Sequence, residues 1–233
     1  MPTKYIFQTW HTKYIPTFTR ECYEHNSRIC NIDKNIVFKR FTLQECENYL
    51  INNHDPKYIH THKKIKPLAF KSDFWRLCIL YKEGGTYMDS KLRILNVKKY
   101  LNLLNSNEEC LIRDRPDWID FKNKYNNKYH LGINNQLIIV KKNNPFIKLV
   151  MDNILENVKN NYYGPSCLHV TGPGLLGKLY ERNNFTNPII IDFPVWKQIV
   201  WEYSMYRKEL KKFTPNVPNY YNLWRNRDIY NNI

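Results

Sequence analysis

Short apolar runs rich in β-formers alternate along this chain with longer stretches in which apolar positions recur at helical spacing. Tyr5-Ile6-Phe7-Gln8-Thr9-Trp10 begins as a β-rich run and ends in polar residues, the pattern of a strand that delivers side chains to a sheet's edge. Ile36 to Phe41 reads as a second strand, with a helix expected between the two over Thr17 to Cys30. Thr42-Leu43-Gln44-Glu45 has the form of a capping box opening a helix toward Leu50. The clearest helix runs from Pro67 to Lys82. Proline suits a first turn, and Phe70, Phe74, Leu77 and Tyr81 form a stripe at helical spacing. Glu83-Gly84-Gly85 stops it, because glycine accepts left-handed backbone at little cost. Thr86-Tyr87-Met88 then forms a short strand that places Asp89 at its end.

Further strands are expected at Cys110 to Ile112 and at Gln136 to Val140. Asn143-Asn144-Pro145 is a turn before a helix from Phe146 to Val158. Gly172-Pro173-Gly174 is a loop entering a helix over Leu175 to Glu181, and Ile189 to Ile191 is strand-like. From Pro215 onward the Tyr, Trp and Asn-rich tail shows no period. Strands alternating with helices predict an α/β architecture with a parallel-rich sheet, in which ligands sit beyond the carboxyl ends of the strands.

Composition narrows the class. A chain of 233 residues supports one sizeable core, so a single domain over 1–233 is expected, with its tail from about residue 215. Hydrophobic residues at 42% supply enough material to bury. The apolar runs are far too short to cross a bilayer and no apolar leader opens the chain, so a soluble protein without a transmembrane segment is expected. Six scattered cysteines with no CxxC pair argue against zinc and suit reduced thiols in a cytoplasm. A formal net charge of +15 would attract nucleic acid, an anionic membrane or an anionic substrate. The basic residues are spread along the chain, however, and the abundance of Lys, Asn, Ile and Tyr is also what AT-rich codons supply. A basic nucleic-acid-binding module is therefore the alternative reading, without a recognised motif or basic stripe to carry it.

Asp73 and Arg76 lie three apart on the expected helix and share a face. An ordinary surface ion pair and a pair beside a cleft both fit that spacing. Asp89, at a strand end after two glycines, is placed either as a turn residue or as a ligand-binding carboxylate. The three histidines His54, His60 and His62 fall in a polar region and read as solvated. Asp114 lies between Arg113 and Arg115, where a surface ion-pair cluster is the better reading and acceptor binding the weaker one.

The ordered run Leu68-Ala69-Phe70-Lys71-Ser72-Asp73-Phe74-Trp75-Arg76, continuing through Leu80-Tyr81-Lys82-Glu83-Gly84-Gly85-Thr86-Tyr87-Met88-Asp89, closely resembles the DXD-containing sugar-binding region of glycosyltransferase family 32, the yeast initiating α-1,6-mannosyltransferase-like group. Ile6 to Trp10 with Ile15-Pro16 is similar to that family's N-terminal signature. Asn134 to Ile138 with Asn144-Pro145 resembles its central strand and turn, and Thr171 to Gly174 its later Gly-Pro loop. The resemblance spans roughly the first three quarters of the chain. It implies a GT-A fold, a Rossmann-like mixed sheet flanked by helices. It also implies a hexosyltransferase-type enzyme that moves a sugar from a UDP- or GDP-sugar to a glycan, glycolipid or protein acceptor, with retention at the anomeric carbon.

Carried over by position, the resemblance makes Asp73, Arg76 and Asp89 the catalytic set. Asp73 would hold sugar hydroxyls, Arg76 would face the diphosphate, and Asp89 would contact the ribose and the metal shell. Gln8, Thr9, Trp10, Gly85, Tyr87, Lys91, Asn134 and Asn135 would join them in donor binding, Trp10 by stacking on the base or else as a core residue. The family's metal, Mn2+ or Mg2+, is normally held by a second acid two positions after the first; here Asp89-Ser90 is followed by Lys91. A protonated lysine does not ligate a hard cation. Two accounts follow. Lys91 neutralises the diphosphate itself, or a cation is retained by Asp89 and the phosphates with Lys91 turned outward. The intact remainder of the motif favours the retained cation.

Overall fold

The computed structural model describes residues 3–106, 108–114, 132–202, 214 and 216–232. Its centre is a six-stranded sheet built from β1 (Lys4–Thr9), β2 (Ile36–Phe41), β3 (Gly85–Met88), β5 (Cys110–Arg113), β6 (Ile133–Val140) and β7 (Ile189–Ile191), in the order β2-β1-β3-β6-β5-β7. β1 pairs in parallel with β2 and β3, and β5 with β7, while β6 runs antiparallel to both neighbours. The sheet is therefore mixed, and its polarity has a direct consequence. The carboxyl ends of β1, β3 and β5 come out at one edge together with the amino end of β6.

Helices cover both faces. On one lie α2 (Leu43–Asn53), α3 (Pro56–Lys64), α4 (Leu68–Glu83), α6 (Pro145–Lys159) and α7 (Pro173–Arg182); they share a core with the strand residues Phe7, Tyr87, Leu111, Ile138 and Val140. On the other lie α1 (Thr17–Cys30), α5 (Val97–Asn105) and the short α8 (Phe193–Trp196), with a two-stranded sheet of β4 (Leu92–Ile94) and β8 (Val200–Glu202). Their core takes the alternate strand residues Ile6, Met88, Cys110, Ile112, Leu137 and Ile139. The period of two along each strand thus feeds two separate cores.

The capping box at Thr42 forms as read: the Thr42 hydroxyl accepts from the Glu45 N–H, and the Glu45 carboxylate accepts from the Thr42 N–H. The helix α4 is apolar nearly all round, with Phe74, Trp75, Leu77, Cys78, Ile79 and Leu80 all buried. Pro67 is its N-cap residue, one place earlier than expected. Gly84 ends it at φ 68°, and a Cβ there would lie 2.6 Å from the Lys142 nitrogen. Gly85 follows at φ 100° with its Cβ position 2.6 Å from the Tyr5 carbonyl oxygen, so β3 enters the sheet only through glycine.

Several elements depart from the sequence reading. His60 and His62 lie on α3 rather than in a loop, and His54 caps the end of α2. β6 begins at Ile133, so Asn134 and Asn135 are strand residues. The aperiodic tail includes α9 (Tyr220–Arg225) and ends in a bridge between Tyr230 and Ile65. There the Lys66 N–H donates to the Ile229 carbonyl and the Asn231 N–H to that of Lys64. All six cysteines are free and buried. Among the described residues no helix is long and apolar enough to cross a membrane.

Candidate active site

At the edge where β1, β3 and β5 end and β6 begins, a cleft of about 1020 Å³ opens. Its walls carry Trp10 after β1, Asp89, Ser90 and Lys91 after β3, Asp114 after β5, and Asn134 and Asn135 at the start of β6. The first half of α4 closes one side with Lys71, Ser72, Asp73 and Arg76, and Thr214 and the segment from Val217 to Tyr220 face it. Sheet polarity alone explains why residues so distant in sequence meet here.

Arg76 is the hub. Its guanidinium is buried, with Nη2 3.3 Å from Asp73 Oδ1 and Nη1 3.3 Å from Asp89 Oδ1. Nε donates to the Ser72 carbonyl at 3.1 Å, Nη2 to Ser72 Oγ at 2.9 Å and Nη1 to the Asn135 carbonyl at 2.5 Å. The guanidinium also lies over the Tyr87 ring, 4.2 Å from its centroid. Three hydrogen bonds and two ion pairs thus converge on one guanidinium. In this arrangement Arg76 ties the two carboxylates to the first residues of β6.

Asp73 is fixed from three sides. Asn135 Nδ2 donates to its Oδ1 at 2.7 Å and Thr171 Oγ1 to its Oδ2 at 3.0 Å, opposite Arg76. Burial raises its carboxyl to about 6, against the pull of Arg76 and of these two hydrogen bonds. Asp89 is placed by the backbone: its N–H donates to Gln136 and its carbonyl accepts from Leu92, so residues 89–92 turn tightly from β3 into β4. Its Oδ2 lies 3.9 Å from the Lys91 ammonium, which is itself largely covered. The Tyr87 hydroxyl sits 3.3 Å from Ser72 Oγ behind this group, its ring buried beneath the guanidinium.

Thr9 and Trp10 line the cleft, Trp10 almost fully buried and packed against His11 at 5.1 Å between ring centroids. The Thr9 hydroxyl donates to the Phe41 carbonyl. Gln8 and Gly85 do not line it. Alternation along β1 sends Gln8 with Ile6 to the opposite sheet face, and Gly85 serves the backbone at the far end of β3.

Two residues differ from their sequence reading. His62 is buried on the cleft wall 3.6 Å from Glu47, and burial, helped by Lys71, pushes its pKa down to about 3. Asp114 is buried on the cleft wall and accepts from Asn134 Nδ2 at 3.3 Å, while Arg113 pairs instead with Asp192. Arg115 lies outside the described residues. Thr171 was legible only as part of a loop; nothing in its local sequence signals a partner on α4.

The donor set for a divalent cation is poor. Asp89 is flanked by Arg76 on one oxygen and Lys91 on the other, and both oxygens of Asp73 already accept from protein donors. Among the described residues no group of three or more His, Cys, Asp or Glu side chains comes together to hold a metal ion. Among the described residues, the side chains at this cleft do not fit the Mn2+ or Mg2+ site that the resemblance implies.

Residues 16–111 match the family model described as the glycosyltransferase sugar-binding region containing a DXD motif. That description is coarser than family 32. The stretch includes Asp73, Arg76, Asp89 and Lys91. An uncharacterized glycosyltransferase of Acanthamoeba polyphaga mimivirus is 28% identical over 171 residues, covering 67% of this chain and 66% of the relative. The fold is similar to that of PaToxG glycosyltransferase, at a TM-score of 0.54 and 16% identity over 98% of this chain and 85% of that one. It is also similar to the ligand-free glycosyltransferase domain of the YGT toxin, at a TM-score of 0.51 and 12% identity over 88% and 81%. The chain thus has the mixed α/β architecture of the GT-A glycosyltransferase fold.

Proposed function

We propose that this protein is a glycosyltransferase that moves a hexose from a UDP- or GDP-sugar to a hydroxyl of a glycan, glycolipid or protein. The observation that carries the reading is the Asp73–Arg76–Asp89 network, held at the strand ends inside a cleft large enough for a sugar nucleotide and within the stretch that matches the sugar-binding region. Asp73 accepts hydrogen bonds from donor-sugar hydroxyls with the lone pairs that Asn135 and Thr171 leave, and Asp89 accepts from the ribose. Trp10 offers the base an apolar wall. The acceptor oxygen forms a bond to the anomeric carbon as the bond from that carbon to the diphosphate breaks. The electron pair goes to the phosphate oxygen, and the acceptor's proton passes to the departing diphosphate or to solvent. Stabilising that departing charge is the chief catalytic demand. Retention of configuration is carried over from the family 32 resemblance, and residues 1–233 are read as one catalytic domain. Six buried free thiols suit a reducing compartment, hence a cytoplasmic placement.

Incubation of the full chain with a panel of nucleotide sugars, read by release of nucleoside diphosphate and by the anomeric proton signal of the product, tests the reading. Turnover with one donor, lost in Asp89→Asn while a thermal melt shows the variant still folds cooperatively, is the expected result. Absence of both turnover and binding across the panel refutes it. The substitution of a lysine for the motif's second acid favours one second reading, an inactive relative that binds a sugar nucleotide without transfer; binding without turnover identifies it.

A further inference from the structure

The motif that gives the matched region its name has an acid at its third position, and this chain has Lys91 there. The lysine is not displaced to a distant surface. Asp89 is pinned to Gln136 through its N–H, and Leu92 is buried and paired with β8, so both flanks of residue 91 are anchored. The ammonium is held 3.9 Å from Asp89 Oδ2 on the cleft wall, its side chain only 18% exposed.

Charge gives this placement its meaning. An acid at position 91 together with a divalent cation sums to one positive charge, and a protonated lysine alone supplies the same. A cation added at Asp89 would meet a positive group on either side of that carboxylate, Arg76 at one oxygen and Lys91 at the other. Arg76 is tied to Asp73, Asp89, Ser72 and Asn135, Lys71 lies 3.9 Å from Glu47, and Lys91 lines the cleft beside Asp89 at the motif's third position.

We propose that Lys91 takes the place of the divalent cation, so that the donor's diphosphate is bound and its departing charge neutralised without metal. This rests on the donor reading above. The ammonium donates to the diphosphate oxygens in the ground state. As the bond from the anomeric carbon to the phosphate oxygen breaks, that oxygen gains the electron pair and the charge-assisted hydrogen bond to Lys91 tightens. Asp89, 3.9 Å away, orients the ammonium on the cleft wall.

The experiment is a calorimetric titration of the full chain with UDP and with GDP, in buffer containing EDTA and in buffer containing Mn2+, for the wild type, Lys91→Met and Lys91→Asp. Thermal melts verify that both variants fold. The wild type should bind one of the two nucleotides with affinities that agree within about threefold in the two buffers. Lys91→Met should lose about tenfold or more in EDTA, and Lys91→Asp, which restores the second acid, should bind only when Mn2+ is present. Wild-type binding that appears only with Mn2+ overturns the inference, as does full affinity of Lys91→Met in EDTA. Either result leaves the donor reading standing. Absence of binding by the wild type in both buffers overturns the donor reading and this inference with it.

Discussion

Replacing Arg76 by methionine separates a residue that builds the site from one that waits for ligand. Methionine keeps much of the side chain's length and removes the guanidinium, and with it three hydrogen bonds and two ion pairs. Breaking a buried pair from one side costs about 3–5 kcal/mol, because the partner charge is left without compensation. Here Asp73 retains Asn135 and Thr171, and Asp89 retains Lys91, so the lower end applies and a loss of about 3 kcal/mol is expected at pH 7.5. At pH 5 the penalty should shrink. Asp73, raised to about 6 in the folded protein, is mostly protonated there and no longer forms an ion pair whose loss matters. Urea unfolding followed by tryptophan fluorescence at the two pH values measures both numbers. A second variant, Asp73→Asn, closes a double-mutant cycle in which the two losses should fall short of additive by at least about 1 kcal/mol. If Arg76→Met unfolds within about 0.5 kcal/mol of the wild type while nucleotide binding disappears, Arg76 is a free phosphate ligand and the donor count above is wrong.

Thr171→Val removes the hydroxyl that donates to Asp73 Oδ2; a stability loss of about 1 kcal/mol and a further rise of the Asp73 pKa are expected, read by urea unfolding and by carboxyl NMR titration. The pH dependence of stability carries a sign that also tests Asp73. Its folded pKa of about 6 exceeds the ordinary carboxylate value of 3.8, so the folded state holds the proton more tightly and the group's contribution is fully present below about pH 4 and lost as pH rises through 6. Asp73→Asn should therefore flatten the decline in unfolding free energy between those pH values, and an unchanged slope contradicts the assignment. Gly85→Ala should lower stability by about 2 kcal/mol or more, since its φ of 100° and the Tyr5 carbonyl 2.6 Å from a Cβ both oppose a side chain. Nucleotide affinity measured below the melt should stay unchanged, and a selective loss of affinity would return Gly85 to the donor site.

Where the sequence reading succeeded, the signal was local. The capping box at Thr42, the glycine stop after α4 and the Asn144-Pro145 start of α6 each act over a few residues, and the structure places them as read. That Asp73 and Arg76 share a face was legible from helical spacing, and that Asp89 ends a strand from the two glycines before it, whereas only the resemblance singled the three out as a set. The failures share a cause as well. The helix α3 escaped notice because His60, His62 and the lysines around them make it look like a solvated loop, whereas His62 is neutralised by burial against the cleft. The tail lacks a period because its order comes from elsewhere: Tyr220 packs on Phe70, the Tyr230 hydroxyl donates to the Tyr162 carbonyl, and the bridge to Ile65 pins its end. Thr171 lies 98 residues from Asp73, and no local rule links them. The role of Arg76 needed a count of its partners, which only coordinates supply.

The same partners explain why the site's charges sit on a helix as deeply buried as α4. Close-packed but non-directional apolar contacts bury α4 against the sheet. A guanidinium inside that interface behaves differently. Its partners come from its own turn at Ser72 and Asp73, from the end of β3 at Asp89 and from the start of β6 at Asn135. A shift of about 1 Å would break several of these contacts at once and leave charge buried without a partner, at a cost of several kcal/mol. The ionic network therefore sets the register of α4 against the sheet, and the same register aims Asp73 and Asp89 into the cleft. Preorganisation of the carboxylates and correct seating of the helix become one requirement. A variant that loosens the network should lose both together, whereas Lys91, anchored by the turn and outside this fork, is free to change the cleft's charge without unseating the helix.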